Sequence, residues 1–129
     1  MRPPTLRPAL LALVLLCAGC ARITPTPSAS GACTPHGTRL KVVARSIAFD
    51  PGCLDAPANE ALTIVLDNED AGTPHNVSIY RDDGGSAFHG AIVTGVRTTT
   101  YHVSPLAPGT YSFRCDVHPA QMTGTFIVR

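Results

Sequence analysis

The chain has 129 residues, 44% apolar and 15% charged, which suits one domain with one core and favours neither a coiled coil nor a nucleic-acid binder. The formal net charge is +1, and it becomes −1 without Arg2 and Arg7 (eight basic against nine acidic residues), so the chain lacks the basic surface that phosphate backbones require. Twelve Pro, 11 Gly and no Trp point to short strands joined by tight turns, and five Cys leave one without a partner.

The first element is an address. In MRPPTLRPALLALVLLCAGC two arginines precede an apolar run from Ala9 to Leu16, followed by small residues and Cys20. A basic flank, a short apolar stretch and small residues mark an export signal, and the run is too short to span a bilayer core of about 30 Å. The segment, 1–20, resembles a lipoprotein signal in which cleavage before Cys20 frees its thiol for lipidation. The other reading is an ordinary signal cut near Ala18 or Ala21. Next comes a Pro/Ser/Thr-rich stretch, 21–38, whose composition cannot bury enough apolar surface to offset its ordering entropy; it reads as a semi-extended tether.

From Arg39 to Arg129 the pattern is all-β. Period-two alternation and turn residues predict strands over Leu40–Arg45, Ala61–Asp67, Asn76–Tyr80, Thr98–Val103, Thr110–Arg114 and Gly124–Val128. In TYSFRC, Tyr111 and Phe113 point one way while Ser112 and Arg114 point the other. Turn chemistry separates the runs at Asp50-Pro51-Gly52, at 68–72, at 82–85 and at Ala107-Pro108-Gly109. No stretch of 12 residues keeps a helical period without Pro or Gly. Several short strands with turns between them make a sandwich or small barrel.

The cysteines sort by position. Cys17 leaves with the signal and Cys20 is the candidate lipid site. An exported chain meets oxidising conditions, in which Cys33 and Cys53 can form a disulfide; alternatively Cys33 stays free. Cys115 remains, in Phe113-Arg-Cys115-Asp-Val-His118-Pro-Ala-Gln-Met122, where thiolate, imidazole and thioether fall within eight residues. Soft sulfur with imidazole selects copper over cations that want oxygen. A trigonal site needs a second imidazole, and His75 in Pro74-His75-Asn76-Val77 is the candidate.

These motifs, PHNVSIY and LAPGTYSFRCDVHPAQMTGTFIV with the milder SIAFDPGCLDAPANEALTIVLDN, resemble the cupredoxins of the plastocyanin and pseudoazurin type over about residues 39–129. The resemblance implies a Greek-key β-sandwich or barrel that holds one copper ion and works as a type 1, blue copper electron carrier. It implies His75, Cys115 and His118 as equatorial ligands and Met122 as a weak axial one. Asn76 takes the place of the residue that ties the first ligand loop to the cysteine loop. Three residues separate His118 from Met122, one fewer than is usual in plastocyanins and pseudoazurins.

The function expected is therefore non-enzymatic: single-electron shuttling between exported redox proteins that dock near His118, on a patch formed by Pro74, Pro119, Ala120 and Met122. The competing reading is a copper storage or delivery lipoprotein without a dedicated redox partner. The protein is expected as a monomer on the outer, periplasmic or extracellular side, held to the membrane through Cys20 or soluble in the periplasm, with no nucleic-acid partner. His36, His89 and His102 read as surface or loop residues, and Tyr80, Tyr101 and Tyr111 as packing. Glu69-Asp70 and Asp82-Asp83 read as solvated turns.

Overall fold

The computed structural model of the protein describes Cys33 and residues 36–129. The signal, Cys20 and most of the expected tether lie outside the described residues. Among the described residues there are eleven strands and no helix: β1 (Arg39–Arg45), β2 (Ala48–Asp50), β3 (Cys53–Ala56), β4 (Leu62–Asn68), β5 (Pro74–His75), β6 (Ser78–Tyr80), β7 (Ser86–His89), β8 (Val93–Thr94), β9 (Arg97–Val103), β10 (Gly109–Arg114) and β11 (Thr123–Val128). Five expected strands fall within one residue of β1, β4, β9, β10 and β11. The run expected over Asn76–Tyr80 is broken, because Asn76 and Val77 lie between β5 and β6 and turn their polar groups to other loops. Strands β2, β3, β7 and β8 have two to four residues each, too few to show a period.

Two sheets face each other. One has the order β2-β1-β4-β9 and the other β3-β11-β10-β6-β7, while β5 and β8 form a small separate ribbon. Pairing is antiparallel except for β1 with β4 and β3 with β11. Strand β4 shows why the sandwich closes: Leu62, Ile64, Leu66 and Asn68 are buried while Thr63, Val65 and Asp67 are less so, the alternation of a strand with one face in a core. Leu40, Val42 and Ala44 of β1 bury beside them, and Leu54, Ile79, Phe113 and Phe126 come from the opposing sheet.

Glycine is required where β10 and β11 meet β3. A Cβ on Gly124 would stand 2.4 Å from the Phe113 ring and 2.5 Å from the Gly52 carbonyl oxygen. The hairpin between β1 and β2 turns on Ser46 and Ile47, both at positive φ (53° and 55°), as a two-residue turn that follows the sheet twist demands. Glycine or asparagine is the usual occupant, and a β-branched residue there is strained.

The start of the described chain is fastened to the body. Cys33 is joined to Cys53 in a disulfide with a Cα–Cα distance of 5.3 Å. His36 pairs with Asp55 as an isolated parallel bridge, and its Nδ1 lies 2.8 Å from the Asp55 carboxylate. Asp55 is fully buried and also accepts from Arg129, at 2.8 Å from Nη2 and 3.0 Å from Nε. Burial pushes the Asp55 carboxyl up, but the bonds from Arg129 and His36 outweigh it and hold its pKa below the ordinary value.

Candidate metal centre

The parity of β10 carries Cys115 into the interior. Tyr111 and Phe113 face the core, and Cys115, two residues further on, is fully buried at the end of the strand. The chain then folds back at once. The Met122 N–H donates to the His118 carbonyl (2.9 Å), and the Cys115 N–H donates to the Met122 carbonyl (2.9 Å). These two bonds close a small loop from which Cys115, His118 and Met122 all arise. Met122 is fully buried, so it adds nothing to the docking patch in which it was expected. Val117, Pro119 and Ala120 are the exposed apolar residues of this loop, and His118 is half-buried among them.

His75 arrives from the ribbon of β5 and β8, where it pairs with Val93. It is fully buried. Its Nδ1 lies 3.7 Å from Cys115 Sγ, and Nδ1 of His118 lies 3.8 Å from the same sulfur. The three donor atoms lie within 4.8 Å of one another, and the two imidazole rings are tilted by 56° with centroids 5.0 Å apart.

This set fits one copper ion. A first-row ion held in a plane, at about 2.0 Å from nitrogen and about 2.3 Å from sulfur with ligands about 120° apart, places nitrogen about 3.7 Å from sulfur. Two imidazoles and a thiolate, with a thioether in the same loop, are the donors that copper prefers over hard cations.

Two aspartates that the sequence did not single out support the donors. Asp70 was expected in a solvated turn, yet its side chain is only 15% exposed and its Oδ2 accepts from His75 Nε2 at 2.8 Å. Asp70 also accepts the Ser46 N–H (2.6 Å) and the Ile47 N–H (3.0 Å), and its own N–H donates to Asn68 Oδ1 (3.0 Å). Asn68 Nδ2 donates to the carbonyls of Thr73 (3.0 Å) and Val93 (3.3 Å), which pins the loop before His75 to β8. The Ile47 amide, the His75 ring and the Ser46 amide together hold the Asp70 carboxyl below its ordinary pKa despite burial.

Asp116 is the second. Asn76, placed between the two histidine-bearing segments, accepts the Asp116 N–H (2.8 Å) and donates to the Asp116 carboxylate (2.8 Å) and to the Gly90 carbonyl (2.9 Å). Ser78 and Tyr80 hydroxyls also donate to Asp116, at 2.5 and 2.7 Å, with His89 Nδ1 at 3.4 Å. Burial pushes the Asp116 carboxyl up, but these bonds from Ser78, Tyr80, Asn76 and His89 bring it down to about 2. Tyr80 does more than pack: Arg114 lies over its ring at 3.7 Å, and the bond to Asp116 pushes its hydroxyl pKa up. His36 and His89 are exposed ring partners of Asp55 and Asp116, and His102 is exposed on β9.

A signal for Asp116 existed in its place beside Cys115. None existed for Asp70, whose partners Ser46 and Ile47 lie 24 and 23 residues away and act through the backbone.

Residues 9–128 match the family model described as a cupredoxin-like domain. No curated protein matches the chain. Among solved structures, auracyanin A, a "blue" copper protein of the green thermophilic photosynthetic bacterium Chloroflexus aurantiacus, superposes with a TM-score of 0.65 at 19% identity, covering 72% of this chain and 99% of that one. Reduced auracyanin from Roseiflexus castenholzii gives 0.64 at 19% identity, over 71% of this chain and 97% of that one. The copper-containing nitrite reductase of Thermus scotoductus gives 0.55 at 22% identity, over 70% of this chain but 22% of that one.

Proposed function

The chain belongs to the cupredoxin-like family, and from that premise we propose that it is a one-electron carrier in which His75, Cys115 and His118 would hold a single copper, with the Met122 thioether as a further, weak donor. One observation carries this reading: two imidazole nitrogens converge on a buried thiol at 3.7 and 3.8 Å. Copper bound there supplies a Cu(II)/Cu(I) couple.

The protein's own residues supply rigidity and access. Cys115 is fixed by its strand and by the Met122 carbonyl, and His75 by Asp70 and by its ribbon. A donor set anchored to a sheet and to a separate ribbon would move little between charge states, which would keep the barrier to electron exchange low. His118 is the half-buried donor, and Val117, Pro119 and Ala120 around it offer a small apolar surface to a redox partner. The reading is of a carrier and not an enzyme: copper oxidases and nitrite reductases need further copper sites, and the described residues hold one cluster of His and Cys able to take a metal. The signal-like 1–20 and the oxidised Cys33–Cys53 pair support export, with Cys20 as lipid anchor and a monomer on the outer face of the membrane.

The test is a visible and paramagnetic-resonance spectrum of the purified protein loaded with one equivalent of Cu(II). An intense blue band with narrow copper hyperfine splitting is expected, and Cys115→Ser is expected to abolish it. A pale, tetragonal spectrum overturns the carrier reading. Fast electron self-exchange separates a carrier from a storage protein, which would instead surrender copper readily to an acceptor.

A further inference from the structure

The buried ligand His75 is backed by a carboxylate, and that carboxylate is clamped by the β1–β2 turn. Three donors converge on Asp70: His75 Nε2 at 2.8 Å and the Ile47 amide at 3.0 Å on Oδ2, and the Ser46 amide at 2.6 Å on Oδ1. Both amides point at Asp70 from a turn with φ of 53° and 55°, in which Ile47 holds a conformation that β-branched residues avoid. Strain of this kind persists only where surrounding contacts impose it, and here the contacts lead to a metal-facing ring.

We propose that Asp70 is a positioning residue for His75, held by the Ser46–Ile47 turn, and that this chain of contacts biases the bound metal toward its oxidised state. The reading rests on the copper site proposed above. As acceptor, the carboxylate keeps the proton on Nε2 and leaves the Nδ1 lone pair facing Cys115. A fixed negative charge behind the ring stabilises the more positive metal state over the less positive one. The clamp is specific to a carboxylate: both oxygens face backbone N–H groups, so an amide in either orientation sets its NH2 against one of them. Glu69, next in sequence, carries the same charge but points to Arg45, with its side chain 34% exposed.

Two readouts need no metal. In nitrogen-15 spectra of the apo protein, His75 is expected as the Nε2–H tautomer; the Nδ1–H tautomer overturns the proposal. In Asp70→Asn, hydrogen exchange of the Ser46 and Ile47 amides is expected to quicken at least tenfold, and an unchanged rate overturns the clamp. With copper, Asp70→Asn is expected to lose about 10- to 100-fold in Cu(II) affinity and at least tenfold less in Cu(I) affinity. A tenfold difference reads as a rise of about 59 mV in reduction potential. Glu69→Gln is expected to keep the affinity ratio within twofold; an equal shift in both variants overturns the specific role of Asp70. Should Asp70→Asn not fold, the wild-type tautomer decides alone. A wild-type protein without a blue band overturns the copper reading while leaving the tautomer and exchange results to judge the clamp.

Discussion

Gly124→Ala is the single-atom change that the structure resists most clearly. The added Cβ would lie 2.4 and 2.5 Å from Phe113 ring carbons and 2.5 Å from the Gly52 oxygen. Carbon atoms in contact sit at about 3.5–4.0 Å, so something must retreat by about 1 Å. The ring cannot do so easily, because Phe113 is fully buried and packs on Phe49 with centroids 5.4 Å apart. The Gly52 oxygen is backbone and accepts the Thr125 N–H at 3.1 Å. The remaining route is to push β11 away from β3 and β10. Overpacking of this kind costs about 1–3 kcal/mol, and the entropy that alanine removes from the unfolded chain returns at most about 1 kcal/mol. At the middle of both ranges the net loss is about 1–2 kcal/mol, which lowers the melting temperature by about 4–16 °C in a domain of this size. Thermal and urea unfolding of the apo protein measures it. Pairing the change with Phe113→Leu should cost less than the two substitutions summed, since the smaller side chain vacates the contested space. An alanine variant as stable as the wild type, or strict additivity in the pair, would refute the packing argument.

Replacing both Cys33 and Cys53 by Ser opens a loop of sequence separation 20 and is expected to cost about 3 kcal/mol in urea unfolding; a loss below about 1 kcal/mol would show that the crosslink constrains little. Acid should weaken the fold through Asp55: its folded pKa lies below the unfolded value of about 3.9. Its contribution is therefore complete above that value and is lost as pH falls through the folded pKa. Asp55→Asn should show a shallower fall of the urea midpoint between about pH 5 and 2.5, and parallel curves would count against this. Met122→Leu nearly conserves volume in a fully buried position, so the apo protein should lose less than about 1.5 kcal/mol. The copper form should stay blue with a higher reduction potential, and a bleached spectrum would mean that the thioether does more than a weak axial donor.

What the sequence revealed and what it hid follow from the range of the interactions. Strand β4 was legible because Leu62, Ile64 and Leu66 alternate with Thr63, Val65 and Asp67. The parity of Tyr111 and Phe113 was legible too, and extending it by two residues gives the inward aim of Cys115 that the structure shows. The ribbon that presents His75 was not legible, since β5 and β8 are two residues each and make no periodic pattern. Asp70 was misjudged for a related reason. An acidic residue two positions before glycine in a polar stretch has the composition of a solvated turn. Only the docking of a hairpin more than 20 residues upstream shows that its carboxylate faces inward. Tyr80 and Asp116 are similar: each residue was visible, but their bond joins β6 to the cysteine loop across 36 positions.

The place of β11 has a consequence for how the protein comes into being. It lies between β3 and β10, and its pairing with β3 is parallel, across some 70 positions of sequence. Until residues 123–128 are available, β3 has no neighbour in its sheet, and no nascent form can seal the sandwich. Contacts of such high order make folding slow, on the millisecond-to-second scale of β-sandwiches. Export as proposed above gains from that delay, since the chain stays pliable while it crosses. The loop from Cys115 to Met122 links β10 to β11, so three of the four donors stand on the connection to the strand that completes the sheet.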